Sequence, residues 1–193
     1  MTGPTAERAL LFLDVDGPLL PFGGDPGDYA VFAHPGAEAA GNPLLSRLDP
    51  GHGPRLAGLA CELVWATTWM DDANACLAPL LGLPPLPVLQ WPDGSAPVPD
   101  CSGSARVPDT AGAASGSAVH GKTPAIVDRA AGRPFVWIDD EISPADRAWV
   151  SACHPGPALL HRVDARRGLT GADYLTVEAW LRAASATGAR RGR

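Results

Sequence analysis

Several signposts are missing from this 193-residue sequence, and each absence closes a door. Its four cysteines, Cys61, Cys76, Cys101 and Cys153, form no CxxC pair, and nothing near them suggests secretion. The five histidines show no ligand spacing, so a zinc site is not expected. No G-x-S-x-G occurs, which removes the nucleophile elbow of a serine hydrolase. Long apolar runs are lacking too. The best one, "ALLFLDV", meets Asp14 after a few residues, too early for a signal peptide or a membrane span. An excess of positive charge is also missing: the formal net charge of −6 speaks against nonspecific nucleic-acid binding, while leaving room for a local basic groove. The expectation is a cytoplasmic protein with no membrane contact, whose reduced cysteines act as small buried hydrophobes.

What is present is a globular composition, 46% hydrophobic, of a length that suits one domain. The 22 glycines and 21 prolines place irregular chain somewhere. Residues 92–119, rich in Pro, Gly, Ser and Ala, read as a flexible insertion within a domain spanning 1–184, and the basic residues 185–193 read as a frayed tail. Strand-like runs are "ALLFLDV", "LVWAT", the weaker "LPVLQW", "FVWID" and "ALLHRV". Helical patterns separate them, including "PRLAGLACE", "DDANACLAPLLGL", "KTPAIVDRAAG" and a last helix from Thr170 with Asp173 placed for a capping box. The alternation predicts an α/β fold: a Rossmann-like parallel sheet of about five strands with helices on both faces.

In such sheets the site lies beyond the carboxyl ends of the strands. There the sequence places Asp14 and Asp16 after the first strand, Thr67 and Thr68 after the second, and Asp139 and Asp140 after the fourth. Lys122 opens the helix leading into that fourth strand. Each residue has a use if the substrate carries a phosphoryl group. A carboxylate attacking an anionic phosphate needs a cation between them, and Asp14 with Asp139 can hold Mg²⁺. Gly17 lets the chain turn so that Asp16 returns toward the substrate as acid and base. Thr67 can hydrogen-bond a phosphoryl oxygen, and Lys122 can neutralise developing charge. Acids at strand ends also serve as helix N-caps, the plainer reading for Asp140 and Asp71. For Trp69 and Trp91, packing at the core rim is the plainer reading, against stacking on a base or sugar.

The set resembles the haloacid dehalogenase superfamily of phosphohydrolases. Asp14-Val15-Asp16 matches its D-x-D motif, Thr67 (or Thr68, one register along) its Ser/Thr motif, Lys122 its lysine, and Asp139-Asp140 its acidic pair. The resemblance runs from Leu10 to about Trp180, with all four motifs in order. It implies that Asp14 becomes an aspartyl-phosphate, that Asp16 is the acid/base and offers its backbone carbonyl to Mg²⁺, and that Asp139 and Asp140 complete the metal site. More narrowly, "LLFLDVDGPL", "LVWATTWMDDAN" and "RPFVWIDDEI" are similar to the phosphatase domain of multidomain, Swiss-army-knife RNA-repair proteins, a likeness that carries no substrate. Pro18 stands where many relatives have Thr or Val, which implies altered loop geometry. No folded cap is visible in the pattern. The implied partner is a phosphorylated small molecule or a nucleic-acid end.

One segment competes for the lysine. "GSAVHGKTP" satisfies the P-loop pattern with Gly116, Gly121, Lys122 and Thr123. A P-loop needs an apolar strand just before its first glycine, and "PDTAGAAS" has no strand character. The open readings are therefore a Mg²⁺-dependent phosphohydrolase, a P-loop nucleotide binder, a catalytically silent phosphate- or partner-binding domain, and a phosphotransferase with an acceptor other than water.

Overall fold

β1 (Ala9–Leu13), β2 (Cys61–Trp65), β3 (Phe135–Asp139) and β4 (Ala158–Arg162) are runs with few polar interruptions, as strands covered on both faces require. In the computed structural model, which describes residues 8–34, 43–91 and 119–191, they pair in parallel in the order β2-β1-β3-β4. Every residue of β1 and β3, the two central strands, is buried. Their side chains alternate between two cores. Leu11, Leu13, Val136 and Ile138 pack with α1 (His52–Ala57), α2 (Ala78–Leu81) and α5 (Gly171–Arg191) through Leu56, Leu81 and Val177. Leu10, Phe12, Phe135 and Trp137 pack with α3 (Lys122–Ala130) and α4 (Pro144–Cys153) through Ile126 and Val150. Helices thus cover both faces, a Rossmann-like α/β arrangement. Each such buried Leu or Phe contributes roughly 1.5–3 kcal/mol.

Several expectations change in detail. "LPVLQW" forms no strand: Val88 makes one isolated parallel bridge to Trp65, flanked by the Trp65 amide donating to Pro87 O (2.8 Å) and the Leu89 amide donating to Trp65 O (2.7 Å). Pro84, Pro85 and Pro87 have no N–H, so a ladder cannot extend there, and four strands are found among the described residues. The helix expected over "DDANACLAPLLGL" begins as a wide π-type turn, Ala73–Leu77, before α2. Pro79 has no amide to give to the turn that precedes it, which favours that widening. α5 continues to Arg191, past the boundary drawn at 184, because alanine and arginine are strong helix formers. Its stripe of Tyr174, Val177 and Leu181 is buried, and the Thr170 amide donates to Asp173 Oδ2 (2.8 Å) at its start. The insertion read over 92–119 lies, except for its last residue, outside the described residues.

Cys61 and Cys76 are free, but Cys153 is disulfide-bonded, which corrects the expectation of uniformly reduced thiols. Among the described residues no helix is long and apolar enough to cross a membrane.

Candidate functional site

Register decides which side chains meet. Leu13 lies opposite both Trp65 and Ile138. One step further along the three strands come Asp14, Ala66 and Asp139, and Thr67 follows Ala66. The ladder persists at this edge, since the Asp14 amide donates to Ile138 O (3.0 Å) and the Ala66 amide to Leu13 O (2.9 Å). Asp14 and Asp139 therefore stand side by side on rigid, buried backbone.

Lys122, the first residue of α3, places its ammonium between them. Its Nζ lies 3.0 Å from Asp14 Oδ2 and 2.8 Å from Asp139 Oδ2. All three side chains are nearly or fully buried, Lys122 at 2% exposure. Asp139 is held further by the Trp137 indole N–H (3.2 Å to Oδ2) and the Glu141 amide (2.9 Å to Oδ1). Burial alone would strip the proton from Lys122, but the adjoining Asp14 and Asp139 charges outweigh it and raise the lysine above its ordinary value. Asp14 shows the reverse balance: burial, then the Asp139 charge, push it up to about 7 against the pull of Lys122.

Asp140 completes the centre. Oxygens of Asp14, Asp139 and Asp140 all lie within 4.8 Å of one another. Ligands of one cation at 2.0–2.6 Å are separated by no more than about 4–5 Å, so the spacing suits a shared ion. The charge count agrees. Three carboxylates face one ammonium, and a divalent cation would supply the missing charge. An all-oxygen set fits Mg²⁺ and is the wrong chemistry for a thiolate-seeking metal. Burial and the Asp139 charge also raise Asp140, as a carboxylate crowded by another without a cation should be.

Gly17 makes the arrangement possible. It sits at φ +83, and a Cβ there would lie 2.6 Å from Asp140 Cγ. Only glycine accepts both the backbone angle and the approach. Asp16, the residue before it, has its Oδ2 accepting the Trp69 indole N–H at 3.0 Å. Asp16's carboxylate is thus outside the three-acid cluster and held by a neutral donor. Thr67 is fully buried and its Oγ1 accepts the Trp69 amide (3.3 Å), whereas Thr68 is exposed. Trp91 lies with its ring centroid 5.7 Å from Lys122 Nζ. Both tryptophans pack against the cores and also touch site residues.

The P-loop pattern has its two chemical residues engaged elsewhere. The Lys122 ammonium is taken by carboxylates, and the Thr123 hydroxyl donates to Asp146 Oδ1 at 2.6 Å. Gly116 lies outside the described residues.

Asp146 is the residue that sequence reasoning missed. Fully buried, it accepts the His120 amide (2.7 Å) and Thr123 hydroxyl on one oxygen, and the Ser143 amide (2.8 Å) and hydroxyl (2.6 Å) on the other. It pins the start of α3, and so Lys122, to the start of α4. Its only trace in the sequence is the S-x-x-D spacing of a capping box, which Ser143 and Asp146 form. Asp140 is not the cap of α4; Ser143 is.

The chain matches no family model, no curated protein and no solved structure. The geometry of this centre is therefore what speaks for its chemistry.

Proposed function

We propose that the protein is a Mg²⁺-dependent phosphohydrolase of the haloacid dehalogenase type, acting on a phosphomonoester through Asp14. The observation that carries this reading is the Lys122 ammonium bridging Asp14 and Asp139 at the ends of adjacent parallel strands, with Asp140 within cation-sharing distance.

Bound Mg²⁺ would be held by Asp14, Asp139 and Asp140, with the Asp16 carbonyl added by the family resemblance, and would offset the repulsion between carboxylate and phosphate. An oxygen of Asp14 attacks phosphorus while the bond from phosphorus to the leaving oxygen breaks, and Asp16 gives that oxygen its proton. Asp16, now a carboxylate, then takes a proton from a water whose oxygen attacks the aspartyl-phosphate. The phosphorus–Asp14 bond breaks and inorganic phosphate leaves. Lys122 orients the Asp14 carboxylate and balances charge on the equatorial oxygens. Thr67 supplies a hydroxyl to the phosphoryl group. The Trp69 indole holds Asp16 in place between its two proton transfers.

The test is hydrolysis of an aryl phosphate with and without Mg²⁺ by the parent and by Asp14→Asn. Metal-dependent turnover should drop by about three orders of magnitude or more in the variant, the scale seen when a catalytic nucleophile is removed. Turnover unaltered in Asp14→Asn would end the mechanism.

A further inference from the structure

Asp140, one acid of the centre, lines a groove of about 550 Å³ together with Phe22, Arg162 and Arg166. Gly23, Asp164 and Arg166 also line a second, larger cleft of about 900 Å³, so the two spaces are neighbours at Arg166. Each has the size of a site for a small organic molecule.

The charges along this groove are ordered. Arg162 is tied by its Nε to the Asp140 carbonyl at 2.8 Å, which fixes its guanidinium beside the centre. The Arg166 backbone amide donates to Asp164 Oδ1 (2.9 Å), and its exposed side chain forms no ion pair with a described residue. Between Arg162 and Arg167 the loop carries three arginines and one aspartate, in a chain whose formal charge is −6. The loop is stitched to the turn after Asp16: the Leu169 amide donates to Pro18 O (2.9 Å) and the Phe22 amide to Ala165 O (2.8 Å). The guanidiniums thus stand on backbone braced against the site. Phe22 is 39% exposed, a large apolar face left in solvent at the groove wall. Farther out the charge is mixed, because Asp25, Asp28 and Asp49 line the larger cleft together with Arg47 and Arg167.

From this order we infer that the substrate is a small phosphomonoester whose leaving group carries a second phosphate, bound by Arg162 and Arg166. The inference rests on the phosphohydrolase reading for the first phosphate alone. Guanidinium groups favour phosphate through paired N–H donors. Asp25, Asp28 and Asp49 farther out alternate with Arg47 and Arg167, so the concentrated positive charge lies at Arg162 and Arg166.

Propyl phosphate and a series of alkanediol bisphosphates, from ethanediol to hexanediol, differ in the second phosphate and not in leaving-group chemistry. In the parent with Mg²⁺, the best bisphosphate should exceed propyl phosphate in kcat/KM by about tenfold, the effect of one charge-assisted pair of about 1.4 kcal/mol. Arg166→Glu should bring the ratio to one or below, rising salt should shrink it in the parent, and Arg129→Ala, a charge lost on α3 away from the groove, should keep it. A parent ratio near one across the series, or an equal loss on both substrates in Arg166→Glu, overturns the inference. So does preference for a 5′-phosphorylated oligonucleotide over every bisphosphate, which would make the partner a nucleic acid. If neither substrate turns over, the hydrolase reading has failed by itself. Equilibrium binding of the same two ligands then reads the groove alone: a bisphosphate preference abolished by Arg166→Glu upholds it, and no preference sinks it.

Discussion

Asp139 and Asp146 are both fully buried carboxylates, seven residues apart in the chain, and they are satisfied in opposite ways. Asp146 is surrounded by neutral donors: two amides and two hydroxyls hold its oxygens, and they lower its pKa although burial pulls the other way. Asp139 takes two neutral N–H donors as well, but it shares its neighbourhood with Asp14 and Asp140, and one ammonium pairs with Asp14 and Asp139 together. A carboxylate saturated by dipoles is finished; it can only hold things together. Carboxylates left short of positive charge have room for a cation, the feature on which the proposed function rests. The contrast separates a structural pin from the candidate site within seven residues.

The largest effect should come from breaking the candidate site. Lys122→Met keeps the bulk and removes the charge, leaving buried acids unpaired. The metal-free variant should lose about 3–5 kcal/mol in urea unfolding, as when one partner of a buried ion pair is deleted, and Mg²⁺ should restore part of it. A loss that Mg²⁺ leaves untouched would mean the acids do not share a cation.

Breaking the pin should cost less. Asp146→Asn turns two accepting positions into a donor facing donors, so a stability loss of about 1–3 kcal/mol is expected, with a smaller fall in turnover as α3 loosens under Lys122. The two sites should also respond to pH with opposite sign. Asp146 has its folded pKa below its unfolded value of about 3.9, so its contribution is present above that pH and fades as pH falls further. Asp14 has its folded value raised to about 7. The metal-free protein should therefore be steadier near pH 4 than near pH 7 on this account, losing stability as pH rises between them, and Asp14→Asn should flatten that slope. A single monotonic dependence shared by both variants would erase the distinction drawn here.

The smallest change concerns Asp16, outside the three-acid cluster. Trp69→Phe removes the indole N–H from Asp16 while keeping an aromatic body. Turnover should fall by roughly threefold to tenfold, with the midpoint of thermal unfolding nearly unmoved, because one partly exposed hydrogen bond is worth about 1 kcal/mol. No change in rate would reduce Trp69 to packing.

Much of this was legible in the chain. Unbroken apolar runs ending in acids marked β1 and β3, since strands buried on both faces admit no polar residue until they emerge, and the residues just past them had to share one edge. Lys122 was legible as well, from its place ahead of β3. What escaped depended on partners far off in sequence. Asp146 drew no attention in the sequence because Thr123 and His120 reach it only after α3 and α4 pack. Arg162 and Arg166 drew none either, because their place depends on the loop after β4 being braced on the turn after Asp16. "LPVLQW" misled for a local reason, its prolines denying the ladder its donors.

β1 sits between β2 and β3, so Leu10 pairs with Phe135, and its amide donates to Pro134 O, in a far later part of the chain. This has a consequence for how the molecule comes to exist. While it is being synthesised, everything up to Arg133 can emerge without giving β1 its second neighbour, and contacts so distant in sequence are slow to close. Until then Asp14 has neither Asp139 nor a fixed Lys122 beside it. Asp14, Asp139 and Lys122 thus come together only once β3 has been made.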